Sequence, residues 1–309
     1  MKDCLELKKR LGEMLPAFMI REEELLSKHT SFRIGGPAEL MVFPRQIEEL
    51  RQILLAAKEF CVRPKVLGSG TNVLAPDEGL RGLVIVTRDT FMGLELTAPT
   101  KICAMSGMSM AQTAMFAARN GLSGLEFAHG IPGSIGGGVY MNAGAYGGEI
   151  KDVALRTEYM NLDGKREWIE GGKQEFSYRN SIFQKKEGII LRTEFELVPG
   201  EEQEIRSRIR ELNERRRASQ PLELPSAGST FKRPKTGYAA ALIEQAGLKG
   251  LRVGGAAVSE KHAGFVVNLG GATAKDVLEL VRLVKQRVLE HSGAELEPEV
   301  RLWGAENEA

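Results

Sequence analysis

The sequence predicts a protein of mixed helices and strands, built as two or three domains. Three observations carry that expectation. The chain has 309 residues, too many for one small core. Its apolar residues switch repeatedly between a helical period and short strand-like runs. Hydrophobic residues make up 42% and charged residues 27%, the balance of an ordinary globular protein.

Residues 1–26 read as one or two amphipathic helices broken at Pro16, since proline removes a donor and clashes with the preceding turn. Residues 38–43 read as a strand stopped by Pro44, and residues 47–60 carry helical spacing at Ile47, Leu50, Ile53, Leu54 and Ala57. Short strands follow at 65–67 and 83–86, then a longer one at 98–105. Residues 109–120 read as a helix ended by Gly121, a residue free to adopt the left-handed cap conformation. Strands at 153–162 and 165–169 flank the turn Asp163-Gly164 as a hairpin, and 189–197 is a further strand. After Pro199-Gly200 a highly charged helix covers 201–219. Beyond Pro221 come a helix at 239–246 stopped by Gly247 and a strand at 265–269. The last helix opens on Thr273, with Asp276 placed for a capping box, and ends near Gly293.

The densest chemical signal is residues 130–148, with eight glycines in nineteen positions. Glycine lets backbone N–H groups approach a ligand closely, and successive amides form anion-binding nests. A smaller cluster, Leu67-Gly-Ser-Gly-Thr-Asn-Val-Leu74, lies upstream. Two such stretches beside apolar sequence point to a large phosphorylated cofactor lying along the backbone. Gly68-Ser-Gly70 is followed by Val73 where a third glycine would complete a dinucleotide fingerprint, and no phosphate-loop lysine motif occurs. No nucleophile-elbow serine motif is present either.

Composition excludes several classes. A net charge of +1 argues against a nucleic-acid surface, which needs a basic excess on one face. Cys4, Cys61 and Cys103 are widely spaced, indicating neither a disulfide framework nor a zinc site and fitting a reducing cytosol. His29, His129, His262 and His291 show no metal spacing, so no metal is expected. The first ten residues alternate charges without an apolar core, unlike a signal peptide. No apolar run approaches the roughly 18 residues a membrane span needs. The protein is therefore expected to be cytoplasmic, with no membrane or nucleic-acid partner and no obligate protein partner.

Three short polar motifs remain: YRNSIF at 178–183, AGSTFKRP at 227–234 and LEPEVR at 296–301. Each alone reads equally as a surface stack, a turn or a solvated strand entry. With TSFRIGG at 30–36, the 67–74 loop and the 130–150 segment, they form six motifs in fixed order. That series closely resembles the MurB family of UDP-N-acetylenolpyruvoylglucosamine reductases, from about residue 27 to residue 304. The short stretch between Arg179 and Ser229 resembles the family's shorter type, which lacks an inserted tyrosine loop.

The resemblance implies an α+β fold. It has a two-part FAD-binding domain of the vanillyl-alcohol-oxidase/PCMH type, expected at 1–90 and 91–200, and a C-terminal α+β substrate-binding domain at 201–309. It implies an oxidoreductase of peptidoglycan synthesis that uses non-covalent FAD, with NADPH as co-substrate and a UDP-sugar as substrate. Arg179 and Glu299 are then the pair that polarises the enolpyruvyl carboxylate, and Ser229 the proton donor. Glu299 either carries a proton or holds Arg179 and a hydrogen-bond network in place. Gly68, Ser69, Gly70, Thr71 and Asn72 form one expected cofactor cradle. Gly130, Ile131, Pro132, Gly133, Ser134, Gly137, Asn142, Ala143, Gly144 and Ala145 form the other. Arg301 and Arg216, within the Arg215–Arg217 run, are candidates for phosphate contact, although that run serves equally as a solvated helix face. Lys232 and His262 are candidates for the substrate side, and Arg233 stands where some members have Asn.

Overall fold

In a computed structural model, which describes residues 2–304, the chain divides into two compact units. One comprises Met1–Glu22, Leu40–Ser69 and Gly82–Arg216; the other comprises Glu23–Glu39, Gly70–Arg81 and Arg217–Ala309. This partition differs from the boundaries expected at residues 90 and 200. The two expected cofactor segments fall mostly into one unit, while residues 23–39 and 70–81 join the C-terminal part.

The first unit holds helices α1 (Lys2–Met14), α2 (Ile47–Glu59), α3 (Met110–Arg119), α4 (Ile135–Tyr140) and α5 (Glu202–Ser219). Its largest sheet is antiparallel, in the order Arg166–Glu170, Ala154–Asn161, Gly188–Glu196, Lys101–Met105, Leu94–Ala98. Residues 98–105, expected as one strand, are split by Pro99-Thr100 into the last two of these. Lys65–Leu67 pairs in parallel with residues 84–86. Two apolar cores support these elements: α1 and α2 pack around Leu7, Leu11, Leu50, Ile53 and Ile85, and α3 and α4 around Ile102, Met110, Ile135, Val139 and Phe195. Burial of such side chains contributes about 1.5–3 kcal/mol each.

Cap chemistry set the helix ends as expected. Ser109 and Gln112 form a capping box on α3, and Gly121 follows it at φ +64°. Residues Ile20–Leu25 form a strand where a helix was expected. Their Arg-Glu-Glu-Glu run favours helix by propensity, and tertiary pairing overrides so weak a preference. Helix α4 is the other departure, because it lies inside the glycine-rich segment expected to be loop. Three successive glycines weaken a helix by about 1 kcal/mol each. Close approach explains them: a Cβ on Gly136 would lie 2.9 Å from Ser106 Cβ, and one on Gly138 2.7 Å from Met110 Sδ. Only bare backbone packs this tightly.

The second unit contains α6 (Ala239–Gln245) and α7 (Ala274–Ser292) against an antiparallel sheet ordered Ser226–Ser229, Phe265–Asn268, Ala256–Val258, Arg252–Val253. Its core joins Phe32, Ile34 and Leu74 to Phe231, Ile243, Val266, Leu280 and Val284. Thr273 and Asp276 form the expected capping box on α7, and Gly293 ends it at φ +69°. The motif at 30–36 is tied in by Ser31 Oγ donating to the Ser226 carbonyl at 2.6 Å and Asn268 Nδ2 donating to the Phe32 carbonyl at 3.1 Å. No helix among the described residues is long and apolar enough to cross a membrane.

Candidate active site

In the first unit the two expected cofactor loops meet. A Cβ on Gly68 would lie 2.3 Å from Ser134 Oγ, so the loop after Lys65–Leu67 runs directly over the start of α4. Ser134 is 1% exposed, and its hydroxyl accepts from Gly137 N at 3.4 Å. The Pro132-Gly133 turn is fixed by Met110 N donating to the Gly133 carbonyl at 2.9 Å. Gly130 abuts α5: a Cβ there would stand 3.0 Å from Asn213 Oδ1 and 3.3 Å from Arg216 Cδ. Asn213 in turn meets His129 Nδ1 at 2.9 Å.

Arg216 is the electrostatic anomaly of this cluster. Its Nε is buried with no hydrogen-bond partner among the described residues. Burial pulls its guanidinium below the usual arginine range. A buried guanidinium nitrogen left without a partner is costly. A diphosphate beside it is the kind of anion that would offset the cost. Bare backbone at Gly68, Gly130 and Gly136, together with this cation, fits the FAD expected here.

Arg179 occupies a two-residue turn in the same unit. Ser177 and Asn180 exchange backbone hydrogen bonds at 3.0 and 3.1 Å, and Arg179 at the corner has φ +55°. Its Nη2 donates to the Gly144 carbonyl at 3.3 Å, and its guanidinium carbon lies 5.1 Å from the Tyr178 ring centroid. Gly144 and Ala145 pair with Gly148 and Glu149, so Arg179 stands against the second expected cofactor segment. Asn142 is fully buried and its side-chain amide is spent within the protein, on Glu149, Ser177 and Lys151.

In the second unit the segments that carry the other two expected catalytic residues pair with one another. Glu299 N donates to the Thr230 carbonyl at 2.8 Å, Phe231 bridges Pro298, and Lys232 N donates to the Glu297 carbonyl at 2.8 Å. Residues 230–232 and 297–299 thus run antiparallel, with Glu299 opposite Thr230, the chain neighbour of Ser229. Ser229 is exposed and follows a bulge at Gly228, whose φ is +78°. Asn72 joins them: its Nδ2 donates to the Glu299 carbonyl at 3.3 Å, and Arg301 N donates to the Asn72 carbonyl at 3.0 Å. Gly70 is held where a Cβ would strike the His29 carbonyl at 2.2 Å. The Lys232 ammonium is ion-paired with Glu297. His262 packs edge-on against Phe265 with ring centroids 5.0 Å apart, and its Nδ1 accepts from Gly264 N at 3.2 Å. Burial lowers its pKa. Arg233 stacks over Tyr238, 4.3 Å from the ring centroid.

A cavity of about 500 Å³ elsewhere in the first unit, lined by Lys58, Cys61, Arg63, Asp163 and Glu187 among others, contains none of these residues.

Comparison with known proteins gives these sites a family. Residues 38–170 match an FAD binding domain, and residues 220–303 match the C-terminal domain of UDP-N-acetylenolpyruvoylglucosamine reductase. The enzyme of that name from Syntrophomonas wolfei is 45% identical over 294 residues, covering 95% of this chain and 98% of that protein. The one from Alkaliphilus oremlandii is 44% identical over 304 residues, covering 98% and 100%. The crystal structure of the Thermus caldophilus reductase superposes with a TM-score of 0.79 at 38% identity, covering 92% of this chain and 99% of that one. The fold and its glycine-lined cradle thus define an FAD oxidoreductase. The chain belongs to the UDP-N-acetylenolpyruvoylglucosamine reductase (MurB) family.

Proposed function

We propose that the protein reduces the enolpyruvyl ether of UDP-N-acetylglucosamine enolpyruvate to UDP-N-acetylmuramate, a step of peptidoglycan precursor synthesis, with NADPH as the electron source. The setting is the cytoplasm, where both nucleotide substrates are available. The observation that supports the reading is the antiparallel pairing of residues 230–232 with 297–299, which joins the segments that carry Ser229 and Glu299. These come from two separate family motifs.

When bound, FAD supplies the hydride for C3 of the substrate. Gly68, Ser69 and the 130–134 loop would hold its diphosphate, with Arg216 as the compensating cation; Gly70, Thr71, Asn72 and Arg301 are further candidate contacts. An enol ether is electron-rich and resists hydride unless a neighbour absorbs charge. The substrate's carboxylate does so as an enolate-like dianion, and a fixed cation aimed at it favours the transition state over the ground state. Arg179 has the required planar, permanently charged fork. Glu299 either carries a proton or holds a hydrogen-bond network in place, and Ser229 delivers the proton to C2. Lys232 and His262 border the Ser229 strand and orient the sugar side. A relay through Lys232 would require its ion pair with Glu297 to open.

The test separates the two halves of the cycle. In Ser229→Ala, NADPH should still bleach the flavin at near-normal rate, while reoxidation by the enolpyruvyl sugar falls by about 10²–10⁴, the usual worth of a general acid. Equal slowing of both halves, or of neither, would remove Ser229 as donor. Arg179→Lys should likewise lose the second half selectively, because the bidentate fork is gone. Near-normal turnover there would remove Arg179 from the reaction.

A further inference from the structure

The left-handed turn at Arg179 is held from both sides by the side-chain amides of Asn142 and Gln184. On one side Asn142 Nδ2 donates to the Ser177 carbonyl at 2.9 Å and to Glu149 Oε2 at 2.6 Å, while its Oδ1 accepts from Lys151 N at 2.9 Å. On the other side Gln184 Nε2 donates to the carbonyl of Arg179 itself at 2.9 Å and to that of Tyr140 at 3.0 Å. Ser181 Oγ adds a third tie, to the Tyr140 carbonyl at 2.8 Å.

Helix α4 makes this arrangement possible. Its last carbonyls lack intrahelical partners, so Tyr140 offers an acceptor to Gln184 and Ser181. The helix closes with Ala143 N on the Gly138 carbonyl at 2.7 Å and Asn142 N on the Val139 carbonyl at 3.2 Å. That pattern needs a left-handed residue just past the cap, and Asn142 fills it at φ +43°. The same cap therefore aims the Asn142 amide at the turn carrying Arg179.

A non-glycine residue at φ +55° is strained and persists only where its surroundings over-determine it. From this geometry we infer that Asn142 and Gln184 are positioning residues for the reaction: they lock the Arg179 turn and so fix where the guanidinium points. The inference rests on the reading of Arg179 as the clamp on the substrate carboxylate. Without the two amides the turn relaxes toward ordinary backbone angles and carries the guanidinium with it. Misplacement of a reacting group by about 1 Å costs up to about 10²-fold in rate.

Gln184→Met keeps the length of the side chain and removes its donor. Flavin content and the NADPH half-reaction should stay within about twofold of the parent. Reoxidation by the enolpyruvyl sugar should fall by about 10–100-fold, with a parallel loss of affinity for the carboxylate-bearing product measured by titration calorimetry. Gln184→Lys, which retains N–H donors, should recover most of the loss. Asn142→Gly keeps the left-handed cap and deletes the amide, and should slow reoxidation by the enolpyruvyl sugar more than the NADPH half-reaction. The deciding measurement is the cycle with Arg179→Lys. If the amides act through Arg179, Gln184→Met should change that variant's rate by less than about twofold. A full loss in that background, an unchanged rate in both amide variants, or equal damage to both half-reactions overturns the inference. A near-normal Arg179→Lys enzyme instead overturns the parent reading, a distinct result.

Discussion

Gly68 and Ser134 touch through the one position a larger residue would need: a Cβ on Gly68 would sit 2.3 Å from the Ser134 hydroxyl. This contact joins two motifs that lie 66 positions apart in the chain. Gly68→Ala must push the hydroxyl off Gly137 N and so forfeit a helix cap, a loss of about 1 kcal/mol. Flavin retention should weaken as well. Ser134→Ala pays the same cap energy but leaves room for the methyl. Adding Gly68→Ala to it should therefore cost almost nothing further, and urea unfolding of the four proteins measures that non-additivity. Simple addition of the two effects would show that the loops are not in contact.

Asp77 caps a helix nearly two hundred residues downstream. Its carboxylate accepts from Ala274 N at 2.7 Å and Lys275 N at 3.1 Å, the first two amides of α7. An acid at a helix start satisfies orphan donors and opposes the dipole. Asp77→Ala should lose about 1–2 kcal/mol and selectively speed amide exchange in the first turn of α7 and in residues 70–81. Uniform exchange behaviour would count against the tie. Asp276 completes the same cap, and the N–H groups of Thr273 and Gly255 hold its pKa below the usual aspartate value of 3.8. Its contribution is present at neutral pH and is lost as the pH falls through that depressed folded-state value.

His262 should give the C-terminal unit a second, milder pH response. Burial lowers its pKa from 6.5, and protonation would also remove the Nδ1 acceptor used by Gly264 N. The unfolded chain therefore binds the proton first. Stability is whole above pH 6.5, declines as the pH drops below that value, and levels off once the folded-state pKa is passed. Denaturation midpoints taken between pH 8 and 5 should show the decline, and His262→Gln, which keeps an acceptor but does not titrate, should flatten it. An equal slope in the variant would assign the response to another group.

Local elements were legible wherever local chemistry decides them. Helices α3 and α7 are readable from Ser109, Gly121, Thr273, Asp276 and Gly293, because caps act over a single turn. The 154–170 hairpin was likewise readable from Asp163-Gly164. Elements decided by distant partners were not. The strand Ile20–Leu25 has a helix-favouring composition, and α4 has the composition of a loop. The Asn142 and Gln184 amides carried no sequence signal beyond their place near known motifs, since either side chain is equally at home on a surface.

Family and cofactor class were thus already determined by the order of six motifs, because ligand-contacting backbone tolerates few residue types. Tertiary structure alone decided that residues 23–39 and 70–81 belong with the C-terminal unit and that Arg216 Nε is buried with no hydrogen-bond partner among the described residues. It alone decided, too, that the Arg179 turn hangs from the end of a glycine helix. The reason is physical: caps and turns are written in neighbouring residues, whereas desolvation and carbonyl pairing depend on what the rest of the chain brings within 3 Å or so.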